Sequence, residues 1–265
     1  MIVSPYLSPV ANPVSLVEMK LHLRVDNSTD DSLISTLINA ATEWCEKYEG
    51  QSYMMRSYKV YLDHFVNEMI LPFPPLISVS SVQYYDSSGD LQTLSTDYYT
   101  VDTDSFPGRA YLTFGQSWPA TYTMPKSVII TYSTGYATTF TAATSDILTL
   151  GNAVFAAADI VRVKTDQSDL PSPLVVGTNY HVRDVSGSTI KLSASVGGAA
   201  VDILDAGTGT HVIGFASRGC VPERVRSAIK LIVGHLYEHR EQAGEVKLDT
   251  LPFGINNLLM ERIFV

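Results

Sequence analysis

The sequence predicts an α+β fold: a helical body with an antiparallel β region, plus an inserted small all-β domain, sandwich or barrel-like. Three observations carry this. Apolar residues recur at helical spacing near both ends of the chain. Between them, short runs rich in β-branched and aromatic residues are divided by turn residues. At "TTFTAATSD" the composition shifts to a stretch poor in aromatics and rich in Gly, Ala, Thr and Asp. The body is accordingly assigned to residues 1–137 and 219–265, and the insert to residues 138–218.

The first helix signal is "SLVE", in which Ser15 can cap and Glu18 stands three residues on, ahead of "MKLHLRV". A second helix begins near Asp30 and Asp31. Leu33, Ile34, Leu37, Ile38, Ala41, Trp44, Cys45 and Tyr48 then recur at 3.6-residue spacing, and Gly50 stops the helix. Cys45 falls inside this stripe and reads as a small core residue. From Ser57 to Tyr136 the runs "YKVYL", "VSSVQYY", "YLTF" and "SVIITY" alternate with the breakers "PFPP", "DSSGD" and "FPG". "DSSGD" lacks the remaining residues of a calcium loop and reads as a hairpin turn. Inside the insert, "DIVRVKT", "NYHVRDV", "TIKLSAS", "VDILD" and "THVIGF" are strand-like. "VPERVRSAIKLIVGHLYEHRE" then returns to helical periodicity, with Val225, Ile229, Ile232 and Leu236 forming a stripe expected to pack on that of residues 33–48. The closing segment "LPFGINNLLMERIFV" is apolar.

Composition narrows the function classes. With 265 residues, 45% of them hydrophobic, the chain can bury a real core. Two cysteines, Cys45 and Cys220, are too few for a disulfide framework. The opening "MIVSPYLSPVANP" lacks the pattern of a signal peptide, and no run is long enough to span a bilayer, so a soluble chain without a membrane partner is expected. A net charge of −9 and a pI near 5.0 argue against wrapping nucleic acid.

One motif points to catalysis. "HLYEH", His235 to His239, fits the H-x-x-E-H pattern in which two histidines hold zinc and the glutamate is the base. Such a site also needs a third protein ligand and an open position for water, and only scattered carboxylates, Glu241, Glu245, Asp249 and Glu261, follow. On a helical wheel His239 extends the apolar stripe, His235 flanks it, and a packed or interfacial histidine pair is the simpler reading. No nucleophile elbow or other catalytic context appears, so no catalytic, cofactor-binding or metal residue is assigned and no cofactor is expected.

The ordered segments "VSLVEMKLHLRVD", "DDSLISTLINAATEWCEKYEG", "LPFPPLISVSSVQYYDSSG", "DYYTVDTDSFPGRAYLTFGQSWP", "VIITYSTGY", "VPERVRSAIKLIVGHLYEHRE" and the closing "LPFG" resemble the head-to-tail connector (adaptor) proteins of long-tailed bacteriophages and related gene-transfer particles. The resemblance covers residues 14–137 and 219–265. It implies a non-enzymatic virion protein at the neck: a ring of twelve copies of itself, between the portal protein and the head-closure or tail-side neck proteins, letting DNA pass without specific binding. In that family the position of His239 usually carries another polar residue, which removes the zinc pattern. Residues 138–218 depart from most relatives, which have a short loop there, and look like a small β module grafted onto various phage structural proteins. A receptor- or carbohydrate-binding role through that module is the main alternative, tested by glycan binding; a zinc hydrolase, tested by stoichiometric metal, is the weaker one. In the closing segment, Leu251, Phe253, Ile255, Leu258, Leu259, Ile263 and Phe264 present more apolar surface than a free tail should expose, and are expected to form an interface with a neighbouring subunit or the portal.

Overall fold

The β-type runs between Ser57 and Tyr136 form two antiparallel sheets in the computed structural model, which describes residues 1–9, 11–152, 154–166, 169–239 and 258–259. β1 (Ile2–Leu7), β2 (Arg56–Leu62), β8 (Val128–Thr134), β4 (Leu76–Tyr85) and β5 (Leu91–Thr93) lie side by side in that order, while β3 (Glu68–Leu71), β7 (Gly108–Leu112) and β6 (Tyr99–Asp102) make the second sheet. β8 is paired on both sides and is buried at nearly every position, which suits the β-branched and aromatic run "VIITY". Its Val128, Ile130 and Tyr132 join Val60, Met69, Leu71, Leu76, Val82 and Ala110 in one core. Gly108 is required there: a Cβ on it would stand 2.4 Å from the Cβ of Leu76. "DSSGD" is the β4–β5 hairpin turn, in which the Asp86 carboxylate accepts the N–H groups of Ser88 and Asp90 at 2.9 and 3.1 Å. β1, which the sequence reading passed over, is an edge strand paired with β2 from Ile2↔Tyr61 to Leu7↔Ser57.

These sheets, with residues Met1–Pro9 and Gly50–Gly135, constitute one of two compact units. The other comprises Val10–Glu49 and Tyr136–Val265 as far as they are described. The change of unit at Gly135 falls just before the expected boundary at residue 137, and the helices group with the β module rather than with the sheets.

In the second unit, α1 (Leu16–Leu23) starts as its spacing predicts, the Ser15 hydroxyl accepting the N–H of Glu18 at 3.2 Å. α2 (Asp31–Glu49) ends at Gly50, whose φ of +64° suits a glycine. α2 buries Ile34, Ile38, Ala41 and Cys45 and packs on α3 (Glu223–Glu238), which buries Val225, Ala228, Ile229, Ile232 and Val233. The helices run antiparallel, since Arg224 meets Glu49 at one end and the Tyr237 hydroxyl donates to Asp30 at the other, 2.6 Å away. Leu236 is therefore not part of the stripe. It lies where α2 begins and is 38% exposed.

β9 (Ala137–Ala142), β10 (Leu148–Leu150), β11 (Ile160–Thr165), β12 (Tyr180–Ser186), β13 (Thr189–Ser193) and β14 (His211–Phe215) close into a barrel in the order β10-β13-β12-β11-β14-β9. Phe140, Leu148, Leu150, Val161, Val163, Tyr180, Val182, Ile190, Leu192 and Ile213 are buried. The run "VDILD" is not a strand. Every barrel strand already has two partners, and Ile203 is instead buried on irregular backbone, its N–H bonded to the Asp146 carboxylate at 3.0 Å. β9 comes from the stretch read as a composition boundary, and β10 follows just after it.

Candidate assembly interface

The helix ends of the second unit gather its charges. Arg226 lies on the buried stripe of α3, its side chain only 9% exposed, and reaches the carboxylates of Glu18 on α1 and, at 3.3 Å, Glu223. Lys230, one turn on, meets the other oxygen of Glu18 at 2.5 Å. Lys164 on β11 pairs with Glu223, so the same network fastens the barrel to α3. Burial alone would raise the Glu223 carboxyl, but the hydrogen bond from Lys164 and the charges of Arg226, Lys164 and Lys230 outweigh it and hold the group below its ordinary value. A shallow polar cleft beside the network is lined by Asn12, Ser15, Glu18, Lys164, Asp166 and Arg226. The sequence reading missed this network; its available signal was an arginine on the apolar face that carries Ile229 and Val233.

At the C-terminal end of α2, Arg224 pairs with Glu49, whose side chain is 2% exposed. The same guanidinium donates to the carbonyl of Leu258 at 3.2 Å, and Leu259 is fully buried. Of the seven expected interface residues, the structure thus places Leu258 and Leu259 on this unit; Leu251, Phe253, Ile255, Ile263 and Phe264 lie outside the described residues.

The "HLYEH" stretch ends α3 without the expected continuation of its stripe. His239 leaves the helix at φ −113°, ψ 69° and is exposed, so it does not pack into the core. Its ring meets that of His235 edge-on at 4.8 Å. Among the described residues no group of three or more His, Cys, Asp or Glu is placed to hold a metal ion. Cys45 is a core residue as expected, its thiol pushed up to about 12 by burial and by the neighbouring Glu49 and Glu46 carboxylates. Cys45 and Cys220 are both free thiols.

Residues 13–88 match the family model described as phage gp6-like head-tail connector protein, which bears out the resemblance read from the sequence over that stretch. No curated protein matches the chain. Among solved structures, a chain in the neck of an empty gene transfer agent particle, computed with C6 symmetry, is 14% identical with a TM-score of 0.57, the match covering 98% of this chain and 93% of that one. A chain in the virion of a native gene transfer agent particle gives a TM-score of 0.56 at 14% identity over the same shares. One in the native neck computed with C12 symmetry gives 0.54 at 13%, again over 98% and 93%. A match covering 98% of this chain takes in residues 138–218, so these neck chains share the region that most relatives are expected to reduce to a loop. The chain therefore carries a head-tail connector signature over residues 13–88 and shares, over nearly its whole length, the fold of a gene transfer agent neck chain.

Proposed function

We propose that this chain is a structural virion protein of the neck, at the head-tail junction, and not an enzyme. Twelve copies form a ring between the portal protein and the head-closure or tail-side neck proteins. The observation that carries this reading is the coincidence of the connector signature at residues 13–88 with a fold shared, almost end to end, with a chain of gene transfer agent necks. Necks computed with C6 and C12 symmetry support a ring of twelve, six-fold symmetry being contained in twelve-fold. The net charge of −9 suits a passage for DNA, since an acidic wall repels phosphate and lets the duplex slide. The closing segment, with Leu251, Phe253, Ile255, Leu258, Leu259, Ile263 and Phe264, docks on a neighbouring subunit or the portal.

Imaging of particles assembled with the chain tests this. A twelve-fold ring under the portal is expected. Chains truncated after Thr250 fold, as judged by circular dichroism, but do not enter particles. Density for the chain outside the neck, or normal incorporation of the truncated form, overturns the respective claim.

A further inference from the structure

The corner where α2 ends and α3 begins holds a segment from the far end of the same chain. Arg224 is committed to the Glu49 carboxylate, because a carboxylate only 2% exposed has lost its water and needs a charged donor in its place. Its guanidinium still has a donor to spare, and this takes the Leu258 carbonyl at 3.2 Å. Leu259 beside it is 0% exposed. A backbone carbonyl held by a charged donor next to a buried leucine is a seat for a short peptide, and the chain's own closing segment sits in it.

The tether does not dictate whose segment fills the seat. α3 carries the chain from Arg224 to Glu238, about 21 Å at the usual helical rise. Residues 240–257 then have to return to Leu258, and they span up to about 60 Å when extended. The surplus permits seating on the same chain or on an adjacent one. Exchange between copies replaces each contact by an identical one, so it loses no contact energy and is governed by local concentration.

We infer that the Arg224–Glu49 corner is an exchangeable socket: the free chain fills it with its own Leu258–Leu259, and in the ring it receives Leu258–Leu259 of the adjacent copy. The inference rests on the ring reading above. It lets the free chain stay monomeric until a template brings copies together, because the tethered segment outcompetes free ones at low concentration. It also gives the ring a head-to-tail contact that closes on itself, each copy donating one segment and accepting one.

The test uses full-length chains and a fluorescent peptide spanning residues 251–265. Leu259→Asp empties the socket without altering it, so the peptide is expected to bind this variant at least ten-fold more tightly than wild type, measured by anisotropy. A peptide carrying the same Leu259→Asp change should not bind. In a second arrangement, a protease site placed within residues 240–257 lets the segment be cut from an otherwise native chain; the cut chain should then bind labelled peptide more tightly than the uncut chain. Equal binding to wild type and Leu259→Asp, or no gain in peptide binding on cutting, overturns the socket. Full incorporation of the Leu259→Asp chain into neck rings also overturns it while leaving the neck reading intact, whereas absence of wild-type chain from the neck removes both.

Discussion

Ala137 and Gly214 are direct partners across β9 and β14, so the chain enters and leaves the barrel at adjacent residues. Bridging them with a short linker adds little loop-closure entropy. Replacing residues 139–217 by a Gly/Ser linker is therefore expected to leave both the sheets and the helices folded, at lower stability because the Lys164–Glu223 pair and the surface the barrel covers are lost. Circular dichroism and thermal melting of the deleted chain check this. Aggregation or loss of the cooperative transition would make the barrel part of the helical core, not a separable module.

How much of this was legible in the sequence follows the range of the interactions involved. Ser15 and Gly50 act on their own backbone neighbours, so the helix limits they set were readable. The β4–β5 turn, with Asp86 bonding its own loop, was readable for the same reason. β1 was not, because "IVSPYL" is weakly patterned, contains Pro5, and becomes a strand by pairing with β2 more than fifty residues away. "VDILD" looks more like a strand and is none, because the closed barrel offers it no free edge. The interface was legible only as an apolar closing segment. What receives Leu258 and Leu259 depends on Arg224 and Glu49, which are 175 positions apart, and no local pattern connects them.

The histidine pair predicts a negative result with a structural reason. His239 lies past the helix end and meets His235 edge-on, and among the described residues no third ligand is placed to complete a metal site with them. Purified protein should contain well under one zinc per chain by elemental analysis. His239→Asn, at an exposed cap, should change stability by no more than about 0.5 kcal/mol. One tightly held zinc per chain would reinstate the hydrolase reading.

Arg226 is the most consequential charge of the helical unit. Removing it leaves Glu18, only 15% exposed, with Lys230 alone, and Glu223 with Lys164. Arg226→Ala should lower the unfolding free energy by about 3 kcal/mol in urea titrations, as for other partly withdrawn pairs broken on one side. Lys230→Ala, at a more exposed site, should lose under about 1 kcal/mol. Arg226→Met combined with Glu18→Leu should restore most of the loss, because apolar packing replaces the pair and no charge is left stranded. A double variant as unstable as Arg226→Ala would show that the network's geometry, not its charge balance, holds α1 on α3.

Cys45 links core packing to pH. Burial, with the Glu49 and Glu46 carboxylates nearby, raises its thiol from an ordinary 9.0 to about 12, so the folded chain keeps the proton over a range in which the unfolded chain releases it. Between those values the native state binds more protons than the unfolded state, and stability falls as pH rises. The contribution is complete below about pH 9 and is lost progressively toward pH 12. Wild type should therefore lose stability more steeply than Cys45→Ala between about pH 9 and 10.5, even though the alanine chain is less stable at neutral pH because it has a small cavity. Urea midpoints at several pH values give the two slopes directly. Parallel slopes would mean that the thiol ionises in the folded chain as readily as in the unfolded one, and that Cys45 is not sealed inside the α2 stripe.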